Sequence, residues 1–125
     1  MQKIYLILFI LFISSQFVLN GCDAGSDAVA TSTSAPSLVS PADRDSNISL
    51  TPVFKWSGSA DKLEIGTTNT FSNMVFTTAI PTTDSTFSMP SGTLQNNNTY
   101  YWHVGRNSGG TEYWSSFTYS FRTIQ

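Results

Sequence analysis

The chain has 125 residues, of which only 11% are charged and 14% aromatic, with a formal net charge of -2. That balance excludes the clustered positive face a nucleic-acid binder needs. A single cysteine excludes an internal disulfide framework, and the length suits one domain with a short extension.

In chain order, Lys3 opens a positive segment and Ile4–Ile13 is an uninterrupted apolar run of ten residues. Ser14-Ser15-Gln16 and Phe17-Val18-Leu19-Asn20-Gly21-Cys22 follow, with Gly21 as the small residue a signal peptidase requires. A membrane-spanning helix would need roughly twenty apolar residues. Extending the run to Leu19 takes in Ser14, Ser15 and Gln16, and the flank beyond carries Asp23 rather than basic stop-transfer residues. An exported chain with one unpaired thiol would carry a reactive group that oxidising compartments select against.

Leu19-Asn20-Gly21-Cys22 resembles the bacterial lipobox; Leu19, Gly21 and Cys22 carry the match and Asn20 departs from it. The resemblance implies a signal peptide over residues 1–21 and an acylated Cys22. It also implies a lipid bilayer as partner and a place in the cell envelope, on the extracytoplasmic side of a bacterial membrane.

Residues 22–35 read as a flexible linker, small and polar without hydrophobic period. A coil of that composition reaches roughly 20 Å on average, enough to clear lipid headgroups.

From Pro36 the pattern turns to short β runs bounded by turn residues, giving a folded domain over 36–125. Ser37–Ser40 is a brief strand, Ala42–Asn47 a turn cluster, and Ile48-Ser49-Leu50 an extended piece. Val53–Trp56 turns Phe54 and Trp56 to one face; Lys62–Ile65 turns Leu63 and Ile65 inward and its charges outward. Met74–Thr78 and Ser85–Met89 are further strands. Thr99–Val104 groups Tyr100, Trp102 and Val104, a tight turn follows at Asn107-Ser108-Gly109-Gly110, and the last run alternates Phe117, Tyr119 and Phe121. About seven strands at this spacing, with no helical period, predict an all-β, two-sheet antiparallel sandwich.

Pro36–Pro41, Thr51–Trp56, Leu94 with Tyr100 six residues on, Trp114-Ser115 and Phe121-Arg122-Thr123 together resemble a bacterial fibronectin type III domain. Gln95-Asn96-Asn97-Asn98 stands where that family usually has a proline-containing turn, and Asp43-Arg44 where Asp-Gly is common. The resemblance implies a seven-strand immunoglobulin-like sandwich with Trp56 in its core. It further implies a corner in which the Tyr100 hydroxyl reaches nearby backbone. Such domains act as spacers or adhesion modules.

Catalytic chemistry finds little foothold. The one histidine, His103, falls at an outward strand position, no serine lies in a Gly-x-Ser-x-Gly elbow, and Glu64 reads as a solvated surface charge. Asp43–Asn47 begins like a calcium loop but carries Ile48 and Phe54 where glycine and glutamate are required. No metal or cofactor is therefore expected, and the chain reads as non-enzymatic. Tyr101, facing outward, and Tyr113 and Trp114, beside the last loop, are the candidate contacts for a glycan or another envelope protein. Trp114 also matches a family position whose ring covers the sandwich edge.

Overall fold

The computed structural model describes residues 34–125. The expected signal peptide, Cys22 and the linker up to residue 33 lie outside the described residues.

Alternation in the sequence becomes nine strands and no helix among the described residues: β1 (Ser37–Ser40), β2 (Asp45–Ile48), β3 (Val53–Ser57), β4 (Lys62–Gly66), β5 (Met74–Ala79), β6 (Thr86–Ser88), β7 (Thr99–Ser108), β8 (Thr111–Trp114) and β9 (Tyr119–Thr123). One sheet has the order β1-β3-β6. The other runs β2-β9-β7-β4-β5, with β8 folded back on β7. Phe54 and Trp56 from the first sheet meet Leu63, Ile65, Tyr100, Trp102, Val104 and Phe121 from the second in one buried core. The Phe54 ring stands edge-on to Trp102 at 5.0 Å and to Phe121 at 5.8 Å, the geometry aromatic quadrupoles favour. The two sheets thus close as a β-sandwich.

Three expectations need correction. The larger sheet is mixed rather than wholly antiparallel, because β2 pairs parallel with β9, while β1-β3-β6 is antiparallel throughout. The segment Asp45–Asn47, read as a turn, is most of β2; it bridges through Asp45 to Phe121 and Ile48 to Thr123 across a register shift. Backbone pairing to a sheet edge makes this strand, and an edge strand shows no apolar alternation. Phe117 is not part of the last strand: β9 begins at Tyr119, and Phe117 is 71% exposed in the preceding loop.

The count rises above seven through β2 and through β8, which forms a hairpin with the far end of β7. Its turn places Gly109 and Gly110 at φ of 62° and 86°. Two successive positive φ values suit the turn that joins tightly twisted strands, and glycine adopts them without a Cβ penalty.

Candidate functional site

The central strands β4 and β7 pair Lys62 with Gly105, Glu64 with His103 and Gly66 with Tyr101. Alternation turns all six of these residues to the outer face of the larger sheet. Sequence reasoning places the charges there correctly but in the wrong environment. Glu64 is 7% exposed, and the His103 side chain 13%.

The cover is aromatic. Phe71 stacks on one face of the His103 ring at 3.7 Å between centroids, and Trp114 on the other at 4.1 Å. Each of these rings lies against a glycine of the sheet. A Cβ on Gly105 would stand 2.7 Å from two Trp114 ring carbons, and one on Gly66 would stand 3.4 Å from Phe71. Glycine inside a strand often marks a close approach, and both glycines do so here.

Phe71 reaches its place through a left-handed φ of 55°, uncommon for a bulky side chain. Its loop is closed by Thr67 N donating to Asn73 O at 3.0 Å and Asn73 Nδ2 donating to Thr67 Oγ1 at 2.7 Å. A hydroxyl cluster of Thr68, Thr70 and Ser72 ties the loop tip.

Beneath the rings, Glu64 accepts from Lys62 Nζ at 2.7 Å and pairs with His103 Nε2 at 2.9 Å. Burial pushes the Glu64 carboxyl upward, but the hydrogen bonds from His103 and Lys62 more than offset it and hold its pKa below the ordinary value. An ionised carboxylate only accepts, so Nε2 carries the proton of a neutral imidazole. For His103, burial dominates and lowers the pKa, with Glu64 opposing. Lys62 is raised, chiefly by its bond to Glu64, and its ammonium lies 5.3 Å from the centre of the Trp114 ring. The imidazole has both faces covered and one nitrogen engaged.

The three candidate contacts do not form one surface. Tyr101 and Trp114 share the outer face, but Trp114 lies over Gly105, four residues along β7 from Tyr101, about 13 Å at strand rise. His103 and its stack stand between them. Tyr113 pairs with Arg106 and so projects to the opposite face of the β7–β8 hairpin. Cys22 lies outside the described residues.

Tyr101 instead borders a polar cleft with Asp43, Arg44, Asn69, Thr118 and Ser120. Asp43 Oδ1 accepts from Ser120 N at 2.9 Å and from Ser120 Oγ at 3.1 Å. The Ser120 N–H chiefly holds the Asp43 carboxyl below its ordinary pKa. Among the described residues no three His, Cys, Asp or Glu side chains gather closely enough to hold a metal ion.

Comparison of the chain with protein-family models, with curated proteins and with solved structures finds no match.

Proposed function

We propose that the protein is a lipid-anchored, extracytoplasmic, non-enzymatic binding module of the bacterial cell envelope. The observation that carries the reading is Leu19-Asn20-Gly21-Cys22 directly behind an apolar segment too short to span a bilayer. Acyl chains on Cys22 would hold the membrane, and the polar linker would space the domain from it. One chain binds marginally at about 0.8 kcal/mol per buried methylene, whereas two or three anchor stably.

We further propose that residues 36–125 are a fibronectin type III-like domain. Two features support this. The order β1-β3-β6 against β9-β7-β4 matches the A-B-E and G-F-C strands of immunoglobulin-like sandwiches. In addition, the buried Tyr100 accepts a hydrogen bond from Gln95 N at 2.9 Å, five residues upstream, as a tyrosine corner does. The non-enzymatic part of the reading is supported by His103, whose ring is packed on both faces and hydrogen-bonded to Glu64.

A carbohydrate platform shared by Tyr101, Tyr113 and Trp114 has no support in their arrangement. Trp114 has one face on His103 and the Lys62 ammonium close by. Tyr101 has a polar cleft beside it.

The anchor is tested by Cys22→Ala in the bacterial host. Metabolic labelling with a fatty acid should be abolished and the protein should leave the membrane fraction. Unchanged partitioning would remove the anchor.

A further inference from the structure

Toward β9 from the aromatic stack, the outer face of the larger sheet opens into a cleft of about 380 Å³. Its walls come from the β1–β2 turn (Asp43, Arg44), the β4–β5 loop (Asn69), the first part of β7 (Tyr101), and Thr118 and Ser120 at the entry to β9. Segments far apart in sequence converge on one ring.

Two of the wall segments, the β1–β2 turn and Ser120, are tied together by hydrogen bonds. Arg44 N donates to Ser120 O at 2.7 Å, while Ser120 N and Oγ both donate to Asp43 Oδ1. Arg44 sits at a φ of 64°, which turns the chain so that backbone and carboxylate both reach the same serine. Asp43 Oδ2 is left beside the guanidinium, 3.7 Å from Arg44 Nε, and the Arg44 side chain is 88% exposed. Tyr101 stands opposite Gly66 in register, so no β4 side chain shares its level.

The composition of these walls selects the ligand. One carboxylate and one guanidinium balance, so the cleft has no net charge with which to favour an ion. Hydroxyl, amide and carboxylate groups supply both donors and acceptors around a single aromatic ring. Such a lining matches a molecule with many hydroxyls and a C–H face that lies against a ring. The size falls at the lower end of small-molecule clefts, about 300–1,000 Å³, which fits the end of a sugar chain.

We propose that this cleft binds a neutral saccharide, with Tyr101 as the platform and Asp43, Arg44 and Asn69 as the hydrogen-bonding rim. The proposal rests on the binding-module reading and names its ligand class.

The full chain, purified in detergent, is titrated calorimetrically with neutral oligosaccharides of glucose, mannose, galactose and N-acetylglucosamine. Oligogalacturonate and inorganic phosphate are titrated in parallel. Saturable binding of a neutral sugar is expected, weakened about tenfold or more by Tyr101→Ala and about three- to tenfold by Asn69→Ala. Asn69 is an exposed loop residue, so its variant reads the cleft even where Tyr101→Ala disturbs the sheet. Three results overturn the proposal: no neutral sugar binds, oligogalacturonate or phosphate binds better, or the affinity ignores both substitutions. Membrane partitioning of Cys22→Ala is scored separately. Absence of sugar binding by the unsubstituted chain with Cys22-dependent anchoring intact refutes the cleft alone, whereas Cys22-independent partitioning refutes the anchored module.

Discussion

His103 Nε2 lies 2.9 Å from Glu64 Oε2 across the β4–β7 pairing, on the side of the sheet that faces away from the core. The pair is nonetheless shielded, because Phe71 and Trp114 close over the imidazole from either side. The domain therefore has a second packed layer outside its main core, built around a carboxylate. Offset-stacked aromatic contacts add about 0.5–1.5 kcal/mol each beyond the area they bury. That layer covers Glu64 and His103 where an ordinary solvent-facing strand surface would be open.

Removing the carboxylate should be costly. Glu64→Ala leaves His103 and Lys62 without their shared acceptor and is expected to destabilise by about 2–4 kcal/mol. Lys62 is partly solvated, which keeps the figure below that of a fully buried triad. Glu64→Gln preserves shape and one acceptor, so it should cost about half as much. Urea midpoints of the two variants check the order; equal, negligible losses would show the cluster to be a surface ion pair.

The same groups set the response to pH. His103 has its folded pKa below the ordinary 6.5, so the unfolded chain takes up the proton more readily, and stability falls as pH drops through 6.5. Glu64 is held below its ordinary 4.5 and adds a second loss as pH falls under that value. Lys62 is raised above 10.5, so its contribution is present below that pH and is lost only above it. Stability should plateau between neutrality and about pH 10 and decline on the acid side in two stages. Urea midpoints at pH 7.5, 5.5 and 4.0 test this, and His103→Phe should erase the first stage.

Gly105 and Trp114 should behave as one unit. Gly105→Ala drives a methyl into the indole and is expected to cost about 1–3 kcal/mol while changing tryptophan fluorescence. In a Trp114→Ala background the same substitution should cost less than about 0.5 kcal/mol, since the three nearest atoms to the added methyl all belong to that indole. Additive costs in this double-mutant cycle would refute the coupling.

The main core was open to reading because its residues alternate: Phe54 with Trp56, Leu63 with Ile65, and Tyr100 with Trp102 and Val104 are all buried. That the Tyr100 hydroxyl reaches nearby backbone, as it does at Gln95 N, was implied by the family resemblance carried by Leu94 and Tyr100 and not by alternation. The outer layer was not, because alternation assigns Glu64 and His103 to a face without saying what covers that face. Only Gly66 and Gly105, two glycines inside strands, hinted at rings lying close. β2 escaped because a parallel edge pairing made by backbone alone leaves no apolar signature, and Asn47 sits at a φ of 59° within it. Phe117 misled because its spacing continues that of Tyr119 and Phe121 after the backbone has left the sheet. The cleft at Tyr101 joins four separate segments, and no local pattern brings Asp43 to Ser120.

The two core tryptophans should respond unequally to loss of their indole nitrogens. Trp102 Nε1 donates to Pro41 O at 3.3 Å, whereas the buried Trp56 Nε1 has no hydrogen-bond partner among the described residues. An unpaired buried donor costs about 1–3 kcal/mol, which Trp56→Phe would recover while giving up packing volume. Trp102→Phe gives up similar volume and also deprives the buried Pro41 carbonyl of its donor. Trp56→Phe should therefore be milder than Trp102→Phe by about 1–2 kcal/mol, measured as the difference in unfolding free energy from urea titration. A Trp56→Phe loss equal to or larger than that of Trp102→Phe would show that indole packing, and not nitrogen pairing, governs both positions.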